Sequence, residues 1–154
     1  MGYTIIDVLD KLIKVKEIGH NMYAAIVAGE ETNARIKTVA KVFAIEKNKH
    51  IMTYKSLRNQ MITENFEEID FDIYDKVSKL ISRFNYAYPE NIMDIKEFLR
   101  FSLKFEKENL ALVINIQGLF VRTLKDIDSS AYNVLAEIIK EEEKHIRSIE
   151  IFVK

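Results

Sequence analysis

Apolar residues recur at spacings of three and four along four long stretches of this 154-residue sequence. The stretches cover about residues 4–28, about residues 31–61, residues from 94 onward and residues from about 129 onward. Side chains spaced in this way lie on one face of an α-helix and form a row that packs against neighbouring helices. The sequence therefore predicts an all-α fold of four long helices, called segments one to four, each with one inward row.

Residues that begin and end helices fall where this prediction needs them. The sequence contains 4 glycines and 1 proline, so little interrupts the helices. At the start of segment three, "DIKE" matches a capping box formed by Asp94 and Glu97. The inward row of segment four extends to Phe152. The predicted helix caps and stops are Thr4, Gly29, Asp94 and either Asp128 or Ser129.

The connections between the segments are short, long and short. A few residues around "GEET" join segments one and two, and a short link around "RTLKDIDSS" joins three and four, so each pair should form an antiparallel hairpin. Residues 62–93 join the two hairpins and are too many for a structureless loop. Within them, "YDKVSKLISRF" has helical apolar spacing. We therefore expect two antiparallel hairpins joined by a long crossover that contains a short helix.

Polar residues interrupt each inward row near its middle. Mid-helix positions on facing rows of an antiparallel bundle lie at one level, so the interrupting side chains should converge in the core. Segments two and four each contribute two residues spaced by three, and segments one and three contribute one residue each. The interrupting residues are Lys16, Lys47, His50, Glu106, Glu142 and His145.

These segments resemble the metal-binding helices of the ferritin-like superfamily, and within it the rubrerythrin-type family. That family is a four-helix bundle with a glutamate on helices one and three and Glu-x-x-His on helices two and four. "KFEKENLALV" resembles the third helix with Glu106 as ligand, and "KEEEKHIRSIE" the fourth with Glu142 and His145. "AIEKNKHIMTY" resembles the second, with His50 as ligand. The resemblance implies one ferritin-like domain over residues 1–154.

Two lysines depart from the family pattern. Lys16 in "VKEIGHNMY" and Lys47 in "AIEKNKHIMTY" stand where the family has glutamates. A protonated lysine has no lone pair to donate, and its charge repels a nearby cation. Two lysines together with Glu106 and Glu142 sum to zero charge without a metal. We therefore expect these four residues to form a buried ion-pair network.

Other interpretations of these polar residues remain open from the sequence. Either lysine could extend to the surface if its helix rotates slightly. Glu17 and His20 also form Glu-x-x-His, one step off the row; we expect both at the surface, and a slipped register would make Glu17 a ligand. Tyr23 and Tyr54 lie near the interrupting residues, and buried tyrosines are usually core residues with a hydrogen-bonded hydroxyl.

Composition excludes several classes of protein. The absence of cysteine excludes disulfides, thiolate metal sites and the iron–sulfur module of rubrerythrin-type proteins. A net charge of -1 offers no electrostatic footprint for nucleic acid. Charged residues interrupt "MGYTIIDVLDKLIKV", so we expect neither a signal peptide nor a membrane span. The expectation is a cytoplasmic protein with no nucleic-acid or membrane partner.

Two hypotheses of function follow from the resemblance and the lysines. The first is a degenerate, non-catalytic ferritin-like module, structural or binding, with no cofactor. The alternative is a rubrerythrin-like oxidoreductase that binds iron or manganese at a reduced site of Glu106, Glu142, His145 and His50. The lysines favour the first hypothesis. Catalytic residues, the ligand, the partner and the oligomeric state, a homodimer included, stay open.

Overall fold

Five α-helices and one two-stranded sheet form the described part of the chain in a computed structural model. The structure describes residues 2–29, 33–63, 68–84, 94–122 and 129–153. In chain order the elements are β1 (Tyr3–Thr4), α1 (Ile5–Ala28), α2 (Ala34–Thr63), β2 (Glu68–Ile69), α3 (Phe71–Ser82), α4 (Ile95–Leu119) and α5 (Ser130–Val153). The long helices α1, α2, α4 and α5 correspond to the four predicted segments, and the all-α class is confirmed.

Side-chain caps define the starts of three helices. The Thr4 hydroxyl accepts a hydrogen bond from the first turn of α1, and the Thr4 N–H donates to Asp7 Oδ2 at 2.7 Å, which completes a capping box. At the start of α4, Asp94 Oδ1 accepts from the N–H of Glu97 at 2.8 Å. At α5, Ser129 Oγ accepts from the N–H three residues later at 3.1 Å. These bonds confirm the predicted caps Thr4 and Asp94 and assign the last one to Ser129.

Helix α2 begins later than the predicted start of segment two. Its first backbone N–H groups donate to Asn33 Oδ1 at 3.0 and 3.3 Å, and the helix begins at Ala34. Asparagine is among the best N-cap residues. Glu31, near which the start was predicted, lies outside the described residues, and so does the alternative cap Asp128.

Helices α1 and α2 run antiparallel, and so do α4 and α5. Near the start of α1, Asp10 Oδ1 lies 2.5 Å from Nε of Arg58, which is near the end of α2. Near the end of α4, Gln117 donates a hydrogen bond to the carbonyl of Tyr132, near the start of α5, at 3.3 Å. We call α1 with α2 the first hairpin and α4 with α5 the second hairpin.

Two apolar clusters fill the interior, one towards each end of the long helices. Both contain buried residues from all four of these helices. Members of the first, mainly aliphatic cluster include Leu9, Ile51, Ile116 and Ile138. Members of the second, more aromatic cluster include Tyr23, Phe43, Phe98 and Ile149. The two clusters leave the middle of the long helices to other residues.

The crossover contains the predicted short helix and also a strand, which was not predicted. Helix α3 buries Val77 in the aliphatic cluster. Strand β2 pairs antiparallel with β1, with Tyr3 opposite Ile69, and Ile69 packs half-buried against the aliphatic cluster. Strands of two residues are too short for an alternating pattern to be seen in a sequence. Residues 64–67 and 85–93 of the crossover lie outside the described part.

One position of the predicted inward rows is wrong. Phe152 is 69% exposed. The neighbouring Val153 packs against the aromatic cluster instead. Because a helix has 3.6 residues per turn, the residue four positions after Ile149 returns to the inward face here, rather than the one three positions after it.

Candidate functional site

The six residues that interrupt the inward rows form one layer between the two apolar clusters. Each of them is at most 5% exposed. On each long helix they lie between residues of the aliphatic cluster and residues of the aromatic cluster. We call them the polar layer: Lys16, Lys47, His50, Glu106, Glu142 and His145. Both lysines thus point into the core, whereas Glu17 of the slipped-register alternative is exposed.

Two buried ion pairs connect the hairpins across this layer. Lys47 Nζ on α2 lies 2.5 Å from Glu106 Oε2 on α4. Lys16 on α1 forms the second pair, with Glu142 on α5. Side chains this deeply buried are shielded from water, so each charge depends on its partner for solvation. The structure therefore brings together all four residues of the predicted ion-pair network, one lysine and one glutamate in each pair.

A buried tyrosine hydroxyl supplements each ion pair. Tyr23 donates to Glu106 Oε1 at 3.3 Å, and Tyr54 donates to Glu142 Oε1 at 2.5 Å. Burial raises the pKa of both phenols well above the usual value, and the adjacent carboxylates raise it further. Both tyrosines therefore remain protonated donors, which agrees with the expectation of core residues with bonded hydroxyls.

The two lysines differ in their affinity for a proton. The pKa of Lys16 is lowered to about 8, chiefly by burial and also by the nearby charge of Lys47, against the opposing effect of the Glu142 carboxylate. For Lys47, burial also acts to lower the pKa, but the carboxylates of Glu106 and Glu142 outweigh it and raise the pKa above its usual value. Lys47 is therefore the more firmly protonated of the two.

The two glutamates are held as carboxylates. Burial acts to raise the pKa of Glu106, but Lys47 more than compensates, so the pKa falls well below the usual value. Glu142 responds in the same way, and its pKa is lowered by Lys16 and Lys47 against the effect of burial. Opposite charges within a few ångströms favour the charged forms of both partners.

The two histidines of the layer lie edge to face. The His50 and His145 ring centroids are 5.1 Å apart, with the ring planes at 86°. His145 Nε2 lies 3.8 Å from Glu106 Oε1. Burial lowers the pKa of His50 to about 4. Within the described residues, neither His50 Nδ1 nor His145 Nε2 has a hydrogen-bond partner.

Glu46 joins these histidines, and the sequence analysis did not identify it. Donor atoms of Glu46, His50 and His145 all lie within 4.8 Å of one another. Glu46 directly precedes Lys47, so it lies one step off the inward row and its side chain is half-buried. The signal that could have found it is its spacing of four from His50, which places both residues on one helical face.

The di-metal centre implied by the family resemblance does not fit these side chains. Two carboxylates that would bind the metals, Glu106 and Glu142, are paired with ammonium groups. The positions of the other two carboxylates are occupied by Lys16 and Lys47, which cannot bind a metal while protonated. Among the described residues, donor atoms of Glu46, His50 and His145 converge, and Glu106 of the predicted set of Glu106, Glu142, His145 and His50 approaches His145 Nε2 to 3.8 Å.

Fold and site together define an all-α protein whose core contains two lysine–glutamate pairs and a histidine-rich cluster. Comparison with protein-family models, with curated proteins and with solved structures found no match for this chain. The ferritin-like resemblance therefore depends on the residues and connectivity described above. No helix in the described part of the chain is long and apolar enough to cross a membrane.

Proposed function

We propose that this protein is a ferritin-like bundle of the rubrerythrin type that has exchanged its di-metal centre for a buried ion-pair network. In this proposal it is a non-catalytic structural or binding module. The observation that carries the proposal is the pairing of each inward lysine with one inward glutamate, Lys16 with Glu142 and Lys47 with Glu106. Each ammonium group lies where the resemblance implies a metal-binding carboxylate.

Charge balance supports this proposal. Four converging carboxylates repel one another and require cations or protons to be buried together. Replacing two of them by lysine changes the sum of the four side chains from four negative charges to zero. The ammonium groups of Lys16 and Lys47 then perform the neutralising role of the metal ions, at the same level of the four helices.

Connectivity supports it as well. Ferritin-like bundles have one long crossover between two antiparallel helix pairs. In this chain, the first and second hairpins are separated by residues 64–94, which include the short helix α3. The alternative reduced site would need oxygen atoms of Glu106 and Glu142 that the lysines already engage.

A charge-reversal experiment tests the proposal. The double variant Lys16→Glu with Lys47→Glu would recreate the full family ligand set. Without metal, we expect it to be strongly destabilised or to bind protons, because four buried carboxylates cannot all remain ionised. Saturating Mn²⁺ should then restore its stability, by about 2.7 kcal/mol at 100 times the dissociation constant. The measurement is a pair of thermal melts with and without Mn²⁺, followed by a metal count after desalting.

The matched control is the double variant Lys14→Glu with Lys55→Glu. Both lysines are exposed on the same two helices, so this variant has the same net charge without changing the core. It should melt close to the unaltered protein and gain little from Mn²⁺. If the unaltered protein is stabilised by Mn²⁺ as strongly as the core variant, the lysines do not replace metal ions, and the metal-binding alternative takes first place.

A further inference from the structure

Glu46, His50 and His145 form a second constellation beside the ion pairs. Two of these residues come from α2 and the third comes from α5, so the cluster spans both hairpins. We propose that these three side chains bind a single divalent transition-metal ion of the zinc class. The proposal does not depend on the proposed function, because the site uses none of the four ion-paired side chains.

The distances and the helix geometry suit one small ion. All three donor atoms lie within 4.8 Å of one another. Tetrahedral zinc with bonds of about 2.0–2.1 Å brings its ligand atoms to about 3.3 Å from one another. Glu46 and His50 are four residues apart on one helix and face the same way, as two ligands of one ion must. The half-buried Glu46 side chain can rotate to close the remaining distance.

The histidines present buried nitrogen atoms that make no hydrogen bond in the described chain; His145 Nε2 makes a longer ionic contact of 3.8 Å with Glu106 Oε1. His50 and His145 are each 5% exposed. Within the described residues, His50 Nδ1 and His145 Nε2 make no hydrogen bond. A buried ring nitrogen without a partner is energetically unfavourable, and most such groups in folded proteins are satisfied. A metal ion bound between the rings would account for two imidazoles placed in the core.

The surrounding charges permit a cation at this position. The two lysines of the polar layer are each paired with a glutamate, so the four side chains add no net charge to the neighbourhood. Glu46 supplies a negative charge of its own. Its present partner is Lys49, with Nζ 3.5 Å from Glu46 Oε1, and Lys49 is exposed and can move into solvent. A bound divalent ion would therefore replace an exposed lysine as the partner of the Glu46 carboxylate.

The donor set identifies the class of metal. Two imidazoles and one carboxylate form a set that binds catalytic zinc in known enzymes, with a fourth position left for water. Imidazole donors favour zinc, copper, nickel and iron over magnesium, which prefers oxygen. The affinity of such a site for Mn²⁺ is also lower than for Zn²⁺. Zn²⁺ alone is therefore the probe, and Mg²⁺ is the ion that should not bind.

The test is calorimetric titration of Zn²⁺ into the full chain after chelator treatment and desalting. We expect one Zn²⁺ per chain and a higher melting temperature with Zn²⁺ than with Mg²⁺. Glu46→Gln and His145→Gln should each weaken binding by at least about tenfold, since losing even an outer-shell partner costs about 10- to 100-fold. Glu46 is half-buried, so Glu46→Gln should fold even if His145→Gln does not.

Two matched controls separate this site from other zinc binding. Glu141 lies four residues before His145, as Glu46 lies before His50, but it is not part of the converging group. The sequence has 3 histidines, and His20 is the one that lies outside the cluster. Glu141→Gln and His20→Gln should bind Zn²⁺ like the unaltered protein. The proposal is overturned if the unaltered protein binds no Zn²⁺, if Glu46→Gln binds as tightly as the unaltered protein, or if binding is lost with His20.

Discussion

The two hairpins carry opposite charges into the same core. The first hairpin supplies both buried cations, Lys16 and Lys47, and the second supplies both buried anions, Glu106 and Glu142. If one hairpin packed against a purely apolar surface instead of the other hairpin, it would bury two like charges without partners. Charge in the core is therefore balanced between the hairpins and not within them.

This comparison separates two kinds of contact between the hairpins. The aliphatic and aromatic clusters join them through apolar burial, which is roughly proportional to area and not directional. The ion pairs join them through directional contacts that need a specific partner. A buried ion pair adds little net stability compared with a well-packed apolar pair, but removing one partner is expensive. The polar layer should therefore be sensitive to single substitutions.

The largest expected effect comes from removing one anion. Glu142→Ala would leave Lys16 and the Tyr54 hydroxyl buried without their partner. Losing one side of a buried pair costs about 3–5 kcal/mol. The free energy of unfolding, measured by urea denaturation, should fall by about this amount. The exposed neighbour Glu143 is the control, and Glu143→Ala should change the free energy by no more than about 0.5 kcal/mol.

An unchanged free energy of unfolding in Glu142→Ala would contradict the comparison. It would mean that the second hairpin does not neutralise the first, and that Lys16 reaches solvent in the folded protein. Measuring Glu106→Ala in parallel sharpens the result, because Glu106 is ion-paired with Lys47 and accepts a hydrogen bond from Tyr23.

The second prediction concerns acid and involves His50 of the first hairpin together with the two carboxylates of the second. The pKa of His50 is lowered from 6.5 to about 4 by burial, so between these values the unfolded chain binds a proton that the folded chain does not. Stability should then decrease by up to about 3 kcal/mol as the pH falls from 6.5 to 4. Below pH 4.5, the lowered pKa values of Glu106 and Glu142 add a further loss as both must be protonated.

The alkaline side should behave differently because the groups that titrate there are the two lysines, whose pKa values move in opposite directions. The pKa of Lys16 is lowered from 10.5 to about 8, so the unfolded chain binds more protons between these values, and this contribution to stability rises with pH. The pKa of Lys47 is raised, so its contribution is lost only above pH 10.5. Urea denaturation from pH 4 to 10 should therefore show a loss in acid without a matching loss in base. A symmetrical curve, or an acid limb unchanged by His50→Gln, would contradict this assignment.

Much of this arrangement can be predicted from the sequence because it depends on helical period. Lys16 and Lys47 could be placed in the core since they continue rows whose other members are apolar. The pairing of each lysine with a particular glutamate could not be predicted. A row shows which helical face a side chain lies on and how far along the helix it lies, but not which residue of another helix it contacts. Glu46 was missed for a related reason: it lies one step off the row of α2, yet its side chain approaches His50 on that row and His145 on the row of α5.

The ends of elements show the same limit. Phe152 continues the spacing of its row, but the helical period places Val153 inward at the end of α5 and leaves Phe152 exposed. The pairing of β1 with β2 involves two residues of each strand, so no periodicity could reveal it. Periodicity predicts positions in the middle of long helices and loses that power where the helix ends.

The smallest expected effect belongs to an ion pair within one hairpin, and it completes the comparison. Asp10 and Arg58 join α1 to α2, but their side chains are 46% and 30% exposed. Water and salt screen such a pair, and exposed pairs couple by about 0.2–1 kcal/mol. A double-mutant cycle of Asp10→Ala and Arg58→Ala should give a coupling energy in this range that decreases in 1 M salt. The same cycle with Lys47→Ala and Glu106→Ala should give a larger value that responds little to salt, because that pair is buried. If the coupling energy of the exposed pair equals that of the buried pair, the ion pairs between the hairpins contribute no more to this fold than a surface ion pair does.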